Sequence, residues 1–94
     1  MTYDPASRPL APISEQTLKS HVQARTVREV IVKAHERGPK GEVAKWSLWF
    51  RLGDPYGRLT PLGSARRPLH TWASLDTLQR YLERLGLAGA AIEW

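Results

Sequence analysis

The sequence has no cysteine, which excludes a disulfide-stapled scaffold, a cysteine-ligated zinc site and a thiol nucleophile together. Long apolar runs are also missing. Nothing approaches the roughly 18 consecutive apolar residues of a membrane-crossing helix. The opening MTYDPASRPLAPIS lacks the basic start and apolar stretch of a secretory signal. These absences lead us to expect a cytoplasmic protein with no membrane partner. Histidine is scarce, with His21, His35 and His70 only, and no H-x-x-x-H or H-E-x-x-H spacing sets two of them on one helix face. The glycine-containing stretches RGPKGE and RLGDPYGR match neither a phosphate-binding loop nor a dinucleotide fingerprint and read as strand-to-strand turns. No G-x-S-x-G elbow occurs. The expectation is a protein without catalytic residues, metal or cofactor, and so not an enzyme.

What is present fits one small domain. Ninety-four residues leave room for a single core of ordinary size. Residues 1–12 carry Pro5, Pro9 and Pro12 with little apolar content, so they read as a flexible N-terminal arm, and 13–94 as a single α+β domain. Fourteen Lys and Arg against nine Asp and Glu give a net charge of +5, spread along the chain rather than gathered in a tail. Such a balance suits nucleic acid or an acidic protein surface as partner. A small homo-oligomer is equally compatible with it.

Periodicity then orders the elements. Ser14 is suited to cap a helix over 14–24 in which Leu18 and Val22 recur at i, i+4. The run TVREVIVKAHER is dense in β-branched residues, with Val30, Val32 and Ala34 on one face and Glu29, Lys33 and His35 on the other. After RGPKGE the chain returns as VAKWSLWFRL, with Trp46, Leu48, Phe50 and Leu52 opposite Lys45, Ser47, Trp49 and Arg51; the two runs predict a β-hairpin. A short strand over about 58–62 should end early or lie at an edge, because Pro61 has no amide hydrogen to give. Leu69 to Trp72 read as extended chain before the clearest element, SLDTLQRYLERLG. There Ser74 and Gly86 mark the two ends, and Leu75, Leu78, Leu82 and Leu85 form one apolar stripe. The terminal AAIEW adds a last strand. The predicted order is α-β-β-β-(β)-α-β: an antiparallel sheet of three to five strands with two helices on one face.

Trp49 is the residue that draws attention, because it shares a strand face with Lys45, Ser47 and Arg51, while Lys33 and His35 come from the neighbouring strand. Interleaved aromatic and basic groups stack a base and neutralise phosphates, or they anchor a protein partner; a third option is that the arm or a second subunit covers Trp49. Lys40, Arg66 and Arg67 extend the same candidate footprint.

From about Thr26 onward the sequence resembles small accessory proteins of plasmids and integrative elements, the ParC-like partition-associated proteins. The resemblance rests on a strand rich in Val and Ile, a strand containing Trp, a basic loop before an aromatic, and the stretch WASLDTLQRYLERLGL from Trp72 to Leu87. It implies a DNA-associated accessory in plasmid maintenance or partition, with no catalytic residue to carry over. Mobile elements also encode small inhibitors of host defence complexes, which makes a protein-binding inhibitor or adaptor the second expectation. The α-β-β-β-α order is also similar to double-stranded-RNA-binding domains, but the second helix here opens Ser-Leu-Asp where theirs is lysine-rich.

Overall fold

The computed structural model describes residues 11–64 and 66–94; most of the expected arm, residues 1–10, lies outside them. Seven elements follow one another: α1 (Glu15–Ala24), β1 (Val27–Arg37), β2 (Val43–Leu52), β3 (Leu59–Pro61), β4 (Thr71–Trp72), α2 (Leu75–Leu85) and β5 (Ala91–Glu93). The protein is α+β, as its periodicities imply, with two helices and a five-stranded sheet among the described residues.

Each helix begins and ends for a chemical reason. The Ser14 hydroxyl accepts the Thr17 amide at 3.1 Å, and Ser74 accepts those of Asp76 and Thr77, so amides with no partner inside the helix are satisfied. Asp76 stands at the positive end of α2 and Arg84 at the negative end. Gly86 closes α2 at φ 85°, where its amide reaches the Glu83 carbonyl and the Leu87 amide reaches that of Leu82. Arg25 takes the same left-handed geometry after α1, at φ 59°. A side chain there costs more than glycine would.

The sheet is built on the β1–β2 hairpin, whose antiparallel register places Val30 opposite Phe50, Val32 opposite Leu48 and Ala34 opposite Trp46. On its far edge β2 carries β3 against Trp49–Arg51 and β4 against Trp46–Ser47. Pro61 is the last residue of β3, at the sheet margin that its missing amide requires. The opposite margin differs from the expected all-antiparallel pattern. Strand β5 runs parallel to β1, Ile31 beside Ala91 and Lys33 beside Glu93, so the sheet is mixed. Helix α2 supplies the reason: it carries the chain back across one face, and the strand that follows such a crossover enters in the direction of its partner.

Both helices pack on the face of Val30, Val32, Leu48 and Phe50. Leu18 comes from α1, Leu78, Tyr81 and Leu82 come from α2, and Trp46, Trp72 and Leu62 complete the buried cluster. Apolar residues at period two on the strands and three to four on α2 bring these side chains together. Among the described residues no helix packs on the other sheet face.

Candidate functional site

On that helix-free face the register sets Ile31 beside Trp49, Lys33 beside Ser47 and Glu29 beside Arg51. Trp49 is not a free platform. Its indole N–H donates to the Ser47 hydroxyl at 2.9 Å, and that hydroxyl donates to the Lys33 carbonyl at 3.3 Å. The Lys33 ammonium sits 4.8 Å from the centre of the Trp49 ring, a cation–π contact. The ring thus lies back along its own strand, which explains why Ser47, expected on an open polar face, is only 2% exposed. A base stacking on Trp49 has to displace Lys33 first.

The other cations here are also engaged. Arg51 donates to the Gly57 carbonyl and pairs with Glu29 at 3.5 Å. Lys45 pairs with Glu36 at 3.7 Å, and Glu93 of β5 stands beside Lys33 in the ladder. Lys33, Lys45 and Arg51 are therefore matched in number by Glu29, Glu36 and Glu93. The face that looks basic in the hairpin sequence is close to neutral once assembled. His35 is exposed and falls where the register slips between Ala34 and Glu36.

The structure does not gather the remaining candidates here. Lys40 is exposed at the β1–β2 turn, where its amide donates to the Glu42 carboxylate. Arg66 and Arg67 are exposed in the loop before β4. Arg67 shares a shallow pocket with Ser14, Glu15 and His70 at the start of α1. Its amide donates to the Ser64 hydroxyl, and its carbonyl accepts the Ser64 amide.

His70 stacks flat on Trp72, ring centres 4.2 Å apart and planes 1° from parallel. Burial, then the Arg67 guanidinium, hold its pKa below the ordinary 6.5, while the Glu15 carboxylate pulls the other way. The folded state therefore binds this proton less readily than the unfolded chain. The stability that depends on a neutral His70 is complete above the unfolded value and is lost as the pH falls below it toward the folded one. Replacing His70 by Asn is expected to flatten the fall in thermal midpoint between about pH 7 and about pH 5. Equal slopes in the two proteins would assign the acid sensitivity elsewhere. On α2, burial and the Glu15 carboxylate push the Tyr81 hydroxyl up to about 12. It is buried with no hydrogen bond of ordinary geometry.

A second surface, which the sequence analysis missed, lies where β5 meets α2. A groove of about 300 Å³ runs between them, walled by Leu75, Leu78 and Leu82 of α2 and by Val32, Leu87 and Ile92. Every residue of β5 is exposed, Ile92 by 45%, and the next residue, Trp94, by 75% with one edge against Trp46 at 5.2 Å. The signal in the sequence was AAIEW itself. A three-residue strand at a margin does not have neighbours enough to cover both an isoleucine and a tryptophan.

Among the described residues no helix is long and apolar enough to cross a membrane. No group of three or more His, Cys, Asp or Glu side chains among them is placed to hold a metal ion. Comparison with protein-family models, with curated proteins and with solved structures finds no match to this chain.

Proposed function

We propose that this chain is a non-catalytic protein-binding module, an adaptor or inhibitor of the kind that bacterial mobile elements encode, working through the β5–α2 margin of its sheet. The observation that carries this reading is the exposed Ile92 and Trp94 on a margin strand beside an apolar groove. Exposed apolar side chains gathered at one place mark interaction sites on soluble proteins far more often than scattered ones do. The paired charges on the Trp49 face support it indirectly, since Lys45 and Arg51 already have carboxylate partners there.

A nucleic-acid-associated role in plasmid maintenance is the second reading, supported by the net charge of +5 and the exposed Lys40, Arg66 and Arg67. Salt separates the two. A protein-binding module should hold DNA and RNA oligonucleotides no more tightly than the non-specific range of about 10⁻⁴–10⁻⁶ M at physiological salt. Its capture of a partner from bacterial lysate should survive nuclease and be lost in Ile92→Asp. Tight DNA binding with a steep salt slope that Arg66→Ala and Arg67→Ala each make shallower by about one unit would establish the nucleic-acid role instead.

A further inference from the structure

We infer that the turn between β2 and β3 carries a second protein-docking surface, in which the Tyr56 ring and the arginines around it take an acidic segment of a partner. The inference goes beyond the β5–α2 margin. Strands β3 and β5 stand at opposite ends of the sheet order, so the two surfaces can be tested apart.

The turn holds one aromatic ring out in water. Tyr56 is 93% exposed, more than Ile92 or Trp94. Its backbone is nevertheless fixed from several directions. Gly53 turns the chain at φ 72°, and its amide donates to the Thr26 carbonyl at 2.7 Å. The Asp54 carboxylate accepts the Tyr56 amide at 2.9 Å, and the Asp54 carbonyl accepts the Gly57 amide at 3.0 Å. Two arginines clamp the turn from the strands, Arg28 donating through Nε to the Gly53 carbonyl and Arg51 to that of Gly57. A ring held this way binds with little further loss of backbone freedom. Tyrosine and arginine are also among the side chains that most often carry the energy of protein interfaces.

The charge of the occupant follows from which cations are still unmatched. The Thr26–Gly53 bond brings the end of α1 against this turn, so Arg25, Arg28, Arg51 and Arg58 gather here against Glu29 and Asp54. Glu29 is taken by Arg51, and the Asp54 carboxylate is turned onto the Tyr56 amide. Arg25 and Arg28 are exposed and pair with no carboxylate among the described residues. Arg28 is held by its Nε alone, so both terminal nitrogens keep hydrogens to donate to the two oxygens of one carboxylate. The patch is short, one strand end and one turn with a single ring. Single-stranded nucleic acid is held instead on successive rings along a basic track. A few carboxylates flanking an apolar residue are the better match.

Peptides of leucine flanked by glutamates, or by glutamines, test this on the full chain, with binding followed by amide chemical shifts. The glutamate peptide should bind, moving resonances of residues 25–28 and 53–58, and should weaken as salt screens the exposed charges. The glutamine peptide should bind about tenfold more weakly or not at all. Tyr56→Ser should weaken the glutamate peptide by about tenfold and leave the thermal midpoint unchanged, because the ring is almost wholly exposed. Arg25→Gln combined with Arg28→Gln should weaken it by about three- to tenfold. Arg25→Lys combined with Arg28→Lys should lose less, since the charge is kept. Ile92→Asp should leave this binding unchanged. Equal binding of the two peptides, binding of neither, shifts confined to other surfaces, or equal losses in the lysine and glutamine pairs would overturn the inference. An oligonucleotide, single-stranded or duplex, that moves the same resonances at lower concentration than the glutamate peptide would also overturn it, by giving the patch to nucleic acid.

Discussion

Phe50→Ala is expected to lower stability by about 3–5 kcal/mol, a large share of the roughly 5–15 kcal/mol that holds a typical domain together. Phe50 is fully buried in the core on β2, flanked in the sheet by Val30 on one side and Thr60 on the other. Hydrogen bonding to strands on both sides keeps β2 from closing over the space the ring leaves, so the cavity persists and its cost adds to the lost burial. Urea unfolding followed by tryptophan fluorescence should show a lower midpoint with an unchanged slope, meaning that stability changed and the surface exposed did not. Leu78→Ala, which removes a side chain 1% exposed on α2, should follow the same pattern at about 2–5 kcal/mol. Wild-type midpoints in both variants would mean that α2 does not cover β2 as described.

Gly63→Ala should be the most damaging of the glycine-to-alanine changes. A Cβ at this position would meet the Pro68 carbonyl oxygen below any contact distance, with the Pro68 carbonyl carbon at 2.6 Å and the Arg67 oxygen at 2.7 Å. All three obstacles are backbone. The loop is pinned around them, because the Gly63 amide donates to Ile13, the Ser64 amide to Arg67 and the His70 amide to Leu62. Relief by movement breaks some of those bonds, so the cost should reach or exceed the roughly 1–3 kcal/mol of an overpacked site. Gly38→Ala is the matched control. Its Cβ would also clash, but with the exposed Glu42 carboxylate, which swings aside at the cost of one exposed hydrogen bond from the Lys40 amide. A thermal midpoint for Gly63→Ala as high as for Gly38→Ala would show that the 63–68 loop gives way easily.

The elements that could be read from the sequence are those whose signal is local. Strand β2 covers the whole VAKWSLWFRL run, and α2 starts after Ser74 and stops before Gly86 because caps and the leucine stripe act within a few residues. The direction of β5 was not legible, since Ala-Ile-Glu pairs equally well either way and α2 decides which side it enters from. The candidate face was legible as a list of residues and misleading as a charge. Glu29 and Glu36 reach Arg51 and Lys45 across the hairpin, through a register that slips at Ala34/Glu36, and Glu93 comes to stand beside Lys33 on a strand from the far end of the chain. Nor does alternation along β2 reveal that the indole of Trp49 turns back over Ser47 and takes Lys33 as its cover.

Strand β1 has two neighbours gained at very different cost in chain entropy. It meets β2 across a short turn and meets β5 about sixty residues later, over only three paired positions. Lifting β5 away breaks few bonds and leaves the hairpin whole, so it is an opening far cheaper than unfolding. Amides along a strand point alternately to its two sides. Within β1, adjacent backbone protons therefore exchange with solvent on separate timescales: those turned to β2 wait for the whole sheet to open, and those turned to β5 are released each time the last strand departs.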